Sequence, residues 1–109
     1  MNRLNDLFKV LSDETRLRIV NLISRQKLCV CELVDILDLS QPKISKHIAK
    51  LRSINLVTTE RNEQYIYYSL NTENKDFLKI LEAVFSIENE TLQKDIKNMD
   101  KLRPFVCTR

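Results

Sequence analysis

Two cysteines one residue apart, Cys29 and Cys31, stand in the stretch LCVCELVDILDLSQPKISKHIAKL, residues 28–51, directly ahead of a run rich in lysine. Thiolate sulfur is a soft donor that selects soft ions, and the thiolate rather than the thiol is the form that binds. The chemistry open to the pair is therefore soft-ion ligation or thiol redox exchange, set against simple packing of two small side chains. Residues at i and i+2 share a face only where the backbone is extended or bent; in a regular helix they point about 200° apart. Joint ligation thus calls for an irregular or unwound first turn in the helix that follows. A nearby cation or helix N-terminus would favour such a site by lowering the thiol pKa.

The second chemistry is basic. Between Ser40 and Arg61 stand Lys43, Lys46, Lys50, Arg52 and Arg61 against the single acid Glu60, so this segment carries +4 of a formal net charge of +3 and the remainder of the chain carries −1. A local basic face is the electrostatic footprint of phosphate binding, although a basic helix face is also commonly just solvated.

The elements that must position these residues are mostly helical. The chain has no glycine and only two prolines, Pro42 and Pro104, so Asn, Asp and Ser must make its turns. Leu4, Leu7, Phe8 and Leu11 give a first helix ending near Leu11. Ser12 and Asp13 offer caps for a second, whose stripe of Leu17, Ile19, Val20, Leu22 and Ile23 runs to about Ser24. Leu28 to Val30 reads as a short extended stretch and Glu32 to Leu37 as a third helix. Ser40 caps a fourth, with Pro42 tolerated in its first turn, running to about Ile54. Ile44, Ile48 and Leu51 face inward there, leaving Lys43, Ser45, Lys46, His47, Lys50 and Arg52 on the other faces. Two short apolar helices joined by about three residues, the second basic outside, form a helix-turn-helix pattern. Leu56–Glu60 and Tyr65–Leu70 then read as a two-stranded hairpin, a wing. The spacing of Phe77, Leu81, Val84, Phe85, Glu88, Leu92, Ile96 and Met99 predicts one long helix over about 74–102, whose stripe a partner helix would cover. A homodimer matched to a palindromic operator follows.

The expected fold class is mainly α with a small β-hairpin: a winged helix-turn-helix, homodimeric through its terminal helices, in one domain spanning 1–109 with a C-terminal tail over 103–109. At 109 residues, 43% hydrophobic and 30% charged, the composition is that of a folded globular domain. No apolar run reaches the roughly 18 residues of a spanning helix, and the N-terminus lacks a signal-peptide core, so a cytoplasmic protein with no membrane partner is expected. One histidine and no glycine-built oxyanion or phosphate loop argue against an enzyme, and no catalytic cofactor is expected.

The segments FKVLSDETRLRIVNLI, LCVCEL, LSQPKISKHIAKLR and LVTTERNEQYIYYSL, in that order over about residues 5–71, resemble the ArsR/SmtB metal-responsive repressors. The resemblance implies a dimeric winged helix that holds double-stranded operator DNA when metal-free and leaves it when a metal or metalloid binds. The CVC motif is similar to the arsenite and antimonite sensors and to the cadmium and lead sensors of that family. In many arsenite sensors the pattern continues as C-x-C-x-x-C, and here the third position is Val34. Cadmium and lead sensors add N-terminal cysteines, and this N-terminus has none. Zinc and nickel sensors use His and carboxylates on the last helix, whereas the single histidine here, His47, lies in the reading helix.

The resemblance makes Cys29 and Cys31 the metal ligands, with Cys107 the one protein sulfur left to complete a three-sulfur site, and arsenite or antimonite the effector. Cadmium or lead, or an oxidation that joins Cys107 to Cys29 or Cys31, are the alternatives on the same fold. On the DNA side, Ser40, Gln41, Ser45 and His47 are candidates for base or groove contacts, and Lys43, Lys46, Lys50 and the wing residue Arg61 for phosphates. His47 is equally suited to a capping role. A winged helix that binds only protein is the rival outside this class.

Overall fold

The computed structural model describes residues 2–102. The tail over 103–109, and with it the expected third sulfur of Cys107, lies outside the described residues. Helix α1 (Asn2–Leu11) is followed at once by α2 (Glu14–Ile23), whose N-cap Asp13 accepts a hydrogen bond from the Arg16 backbone N–H. Strand β1 (Leu28–Cys29) leads into α3 (Val30–Leu37), which stops at Asp38 in the left-handed conformation. Helix α4 (Gln41–Ser53) starts at the N-cap Ser40 with Pro42 in its first turn, as the sequence predicts. The wing is β2 (Val57–Asn62) and β3 (Tyr65–Leu70).

Without glycine, the three positive-φ positions are held by Asp38, Asn55 and Glu63. Asp and Asn visit that region at low cost because a short polar side chain bonds locally. Glu63, in the wing turn, has no such help and carries the strain of a longer side chain.

One expectation is extended and one corrected. The expected hairpin is present, β2 pairing antiparallel with β3, and β1 also pairs antiparallel with β3, making a three-stranded sheet in the order β1-β3-β2, with Leu28 opposite Tyr68 and Cys29 opposite Tyr67. Only two residues of β1 take part, too few for a strand signal in the sequence.

The single long terminal helix is absent. It is two helices, α5 (Lys75–Ser86) and α6 (Glu90–Lys101), broken at Ile87, whose backbone is extended. The cause is local: Asn89 accepts from the Leu92 backbone N–H and so starts a new helix, as Asn74 does for α5 through Phe77. The break lets α6 fold back on α2. Its buried face holds Leu92 and Met99, and also Asp95, which meets Arg18 through two hydrogen bonds at 2.8 and 2.9 Å. Buried Asn21 donates to the Leu92 carbonyl at 3.2 Å. These polar contacts fix the docking of α6, while the core beneath joins Leu7, Leu22, Leu28, Leu33, Ile44, Val57, Tyr68 and Phe77, one from each earlier element.

Candidate functional site

Cys29 is the last residue of β1 and the N-cap of α3, with extended backbone, and Cys31 is the second residue of that helix. Because Cys29 lies outside the helix, its side chain folds back over the first turn, and the two Sγ atoms are 3.4 Å apart. The expectation that ligation needs an irregular or unwound first turn is therefore corrected: α3 is regular from Val30, and the corner between strand and cap makes the sulfurs converge. Two thiolates about 2.3 Å from one zinc-sized ion at the tetrahedral angle would stand roughly 3.7 Å apart, and closer as the angle narrows towards a pyramid.

The cap itself is a capping box in which cysteine replaces the usual Ser or Thr. Glu32 accepts from the Cys29 backbone N–H at 2.9 Å. Burial pushes the Cys29 thiol pKa up; the Glu32 backbone N–H opposes this, and the Glu32 carboxylate adds to the rise. The net direction is upward, opposite to what a helix N-terminus alone would give, so at neutral pH the ligand-free Cys29 carries its proton. Among the described residues no group of three His, Cys, Asp or Glu side chains is placed to hold a metal ion.

The pair opens onto a cleft of about 440 Å³ whose other walls are Val30, Gln41 at the start of α4, and Gln64, Tyr65 and Ile66 at the wing turn. One cleft therefore touches the sulfur pair, the reading helix and the wing. A second link runs through the sheet, since Cys29 pairs with Tyr67 of β3. Lys27 lies over the Tyr67 ring at 5.6 Å and forms an ion pair with Glu60 of β2. That pair also offsets the one acid of the basic segment, leaving Arg61 as the wing's positive charge.

On α4, Ile44, Ile48 and Leu51 are buried, and Ser40, Gln41, Lys43, Ser45, Lys46 and Lys50 are exposed together, as the helical spacing predicts. Arg61 is exposed on β2, its Nε directed to the Glu63 carbonyl at 3.5 Å. His47 differs. Its side chain is only 14% exposed, and Nδ1 lies 3.4 Å from an Arg16 guanidinium nitrogen and 3.9 Å from the Asp13 carboxylate. Burial lowers its pKa, with Asp13 opposing and Arg16, Lys43 and Lys46 adding to the drop. His47 therefore faces the start of α2 rather than the open face of α4.

Sequence reasoning did not single out Arg16, Glu32 or the Arg18–Asp95 pair. Glu32 had a signal, because Cys29-x-x-Glu32 has capping-box spacing. The other contacts join residues 31 and 77 positions apart and had none.

Residues 13–59 match the family described as "Bacterial regulatory protein, arsR family". The arsenic resistance transcriptional regulator ArsR2 of Pseudomonas putida is 43% identical over 94% of this chain and 95% of its own length. The arsenical resistance operon repressor of Escherichia coli K12 is 41% identical, covering 85% and 81%. Among solved structures, HlyU from Vibrio cholerae superposes with a TM-score of 0.67 at 33% identity, over 79% of this chain and 95% of that one.

Proposed function

The chain belongs to the arsR family of bacterial regulatory proteins, and on that premise we propose that it is a homodimeric repressor of a metal(loid)-resistance operon, released from operator DNA when arsenite or antimonite binds its cysteine thiolates. The observation that carries this reading is the 3.4 Å approach of the Cys29 and Cys31 sulfurs in a cleft shared with Gln41 and the wing. In the reduced protein, the trihydroxide of arsenic or antimony condenses with both thiols, each S–metalloid bond forming as a hydroxide leaves with the thiol proton as water, and the pyramidal product puts a larger group into that cleft. Cys107 supplies the third sulfur that such an ion favours.

DNA binding is assigned to Ser40, Gln41 and Ser45 at base edges and to Lys43, Lys46, Lys50 and Arg61 at phosphates, supported by their common exposure on α4 and the wing. Dimerisation through the terminal helices is supported by apolar side chains left in the open there: Phe8 on α1 is 53% exposed and Ile87 between α5 and α6 is 68% exposed. Ligation alters the junction of β1 and α3, which bears on α4 by packing and on β3 by pairing. A differential affinity of about 1–3 kcal/mol between the DNA-bound and free arrangements changes operator affinity roughly 5- to 150-fold.

The test is a titration of arsenite, antimonite, cadmium and lead into reduced protein bound to fluorescent DNA from upstream of its own gene. Arsenite and antimonite should release the DNA at the lowest concentrations, and Cys107→Ser should weaken that response. Release by cadmium or lead alone would move the assignment to the alternative effectors.

A further inference from the structure

We infer that Arg16 is a positioning residue for DNA binding: it fixes the angle of α4 against the corner between α1 and α2. Its side chain gathers three elements at one planar group. Nε donates to the Val10 carbonyl at 3.0 Å, one terminal nitrogen reaches towards the Lys9 carbonyl at 3.5 Å, and the other lies 3.4 Å from Nδ1 of His47, midway along α4. Its own backbone N–H is held by Asp13 at 3.0 Å.

The arrangement has a physical reason at each end. The last carbonyls of α1 have no partner within their helix, and a guanidinium is suited to take up several acceptors because its five N–H groups lie in one rigid plane. His47 accepts only while Nδ1 carries no proton, and its burial beside Arg16, Lys43 and Lys46 favours that neutral form. Besides this contact and the 3.9 Å approach of His47 to Asp13, α2 and α4 meet in the apolar core to which Ile19, Ile44 and Ile48 contribute. Apolar packing sets a distance but resists sliding and rotation weakly, whereas directed hydrogen bonds set an orientation. Arg16 thus carries the orientation of the reading helix to α1, the helix that exposes Phe8.

This inference rests on α4 as the DNA-contacting helix and not on the cysteine pair. The test measures binding of fluorescent DNA from upstream of the gene by wild type, Arg16→Gln, His47→Gln and the double variant, between about 50 and 200 mM salt. Arg16→Gln should bind roughly ten-fold more weakly at every salt concentration, as changes along a packed network do, with the logarithmic salt slope of the wild type. The double variant should be no weaker than the weaker single variant. Loss of the neighbouring charge should also raise the pKa of His47, the only histidine in the chain, in an NMR titration. A slope smaller by about one would make Arg16 a phosphate contact instead. Affinity within two-fold of wild type, or additive losses in the double variant, would also overturn the inference. Should Arg16→Gln fail to fold, Arg16→Lys keeps the charge but cannot serve an α1 carbonyl and His47 together, and the same affinity, salt-slope and double-variant outcomes apply. Failure of the wild type to bind at low salt is a separate result that sinks the DNA reading itself.

Discussion

Replacing Asp95 by Asn keeps the size of the side chain and removes the charge that meets Arg18 through two hydrogen bonds at 2.8 and 2.9 Å. The Asp95 side chain is 2% exposed and that of Arg18 is 20% exposed. Removing one partner of a buried pair costs about 3–5 kcal/mol, because the other is left charged without its counter-ion. Here the guanidinium keeps some access to water, so the loss should fall to about 2–3 kcal/mol. For a domain of this size that lowers Tm by roughly 10–20 °C. The assay is thermal and urea unfolding followed by circular dichroism at fixed protein concentration, since dimerisation makes the midpoint concentration-dependent. Arg18→Met with Asp95→Leu should recover most of the stability, an apolar pair replacing the charged one. The reasoning fails if Asp95→Asn costs under about 1 kcal/mol, or if the apolar pair is as unstable as the single variant.

Three further outcomes follow from the site. Because the Cys29 thiol pKa is raised, a cation such as cadmium must displace its proton, so cadmium affinity should climb with pH by up to about ten-fold per unit until the pH passes that pKa. Arsenite, a neutral trihydroxide that loses one water for each S–As bond formed, releases no net proton and should bind with level affinity around neutral pH. Glu32→Gln keeps a capping acceptor and removes the carboxylate charge; it should shift the cadmium profile to lower pH, as cadmium titrations at several pH values would reveal. Lys46→Gln should reduce the logarithmic salt slope of operator binding by about one, measured by anisotropy. Glu63→Gly relieves the positive φ of 57° in the wing turn and should stabilise the protein by about 1 kcal/mol in urea unfolding.

The first four helices and the wing were legible because their signals are local. Asp13 and Ser40 cap where their side chains suggest, and Ile44, Ile48 and Leu51 keep the α4 period. The break at Ile87 was missed because no Gly or Pro marks it; the apolar spacing of Phe77 to Met99 continues in phase across it, and only the Asn89 cap tells against continuity. The pairing of β1 with β3 was invisible in two residues. The sulfur pair was legible as chemistry but not as geometry: treating Cys29 and Cys31 as one backbone state implied unwinding, whereas a cap lets one residue be extended and the next ones helical. His47 was read from its place on α4, but its direction is set by Asp13 and Arg16 on another helix. What depends on long-range partners, including the Arg18–Asp95 lock, has no period for a sequence to display.

The central claim is that Cys29 and Cys31 couple a metalloid to release of DNA. The most direct measurement is arsenite titration of the reduced Cys29→Ser, Cys31→Ser double variant bound to operator DNA, beside the wild type. The double variant should hold the DNA with wild-type affinity and stay bound at arsenite concentrations that free the wild type. Release of the double variant by arsenite at those same concentrations would contradict the account.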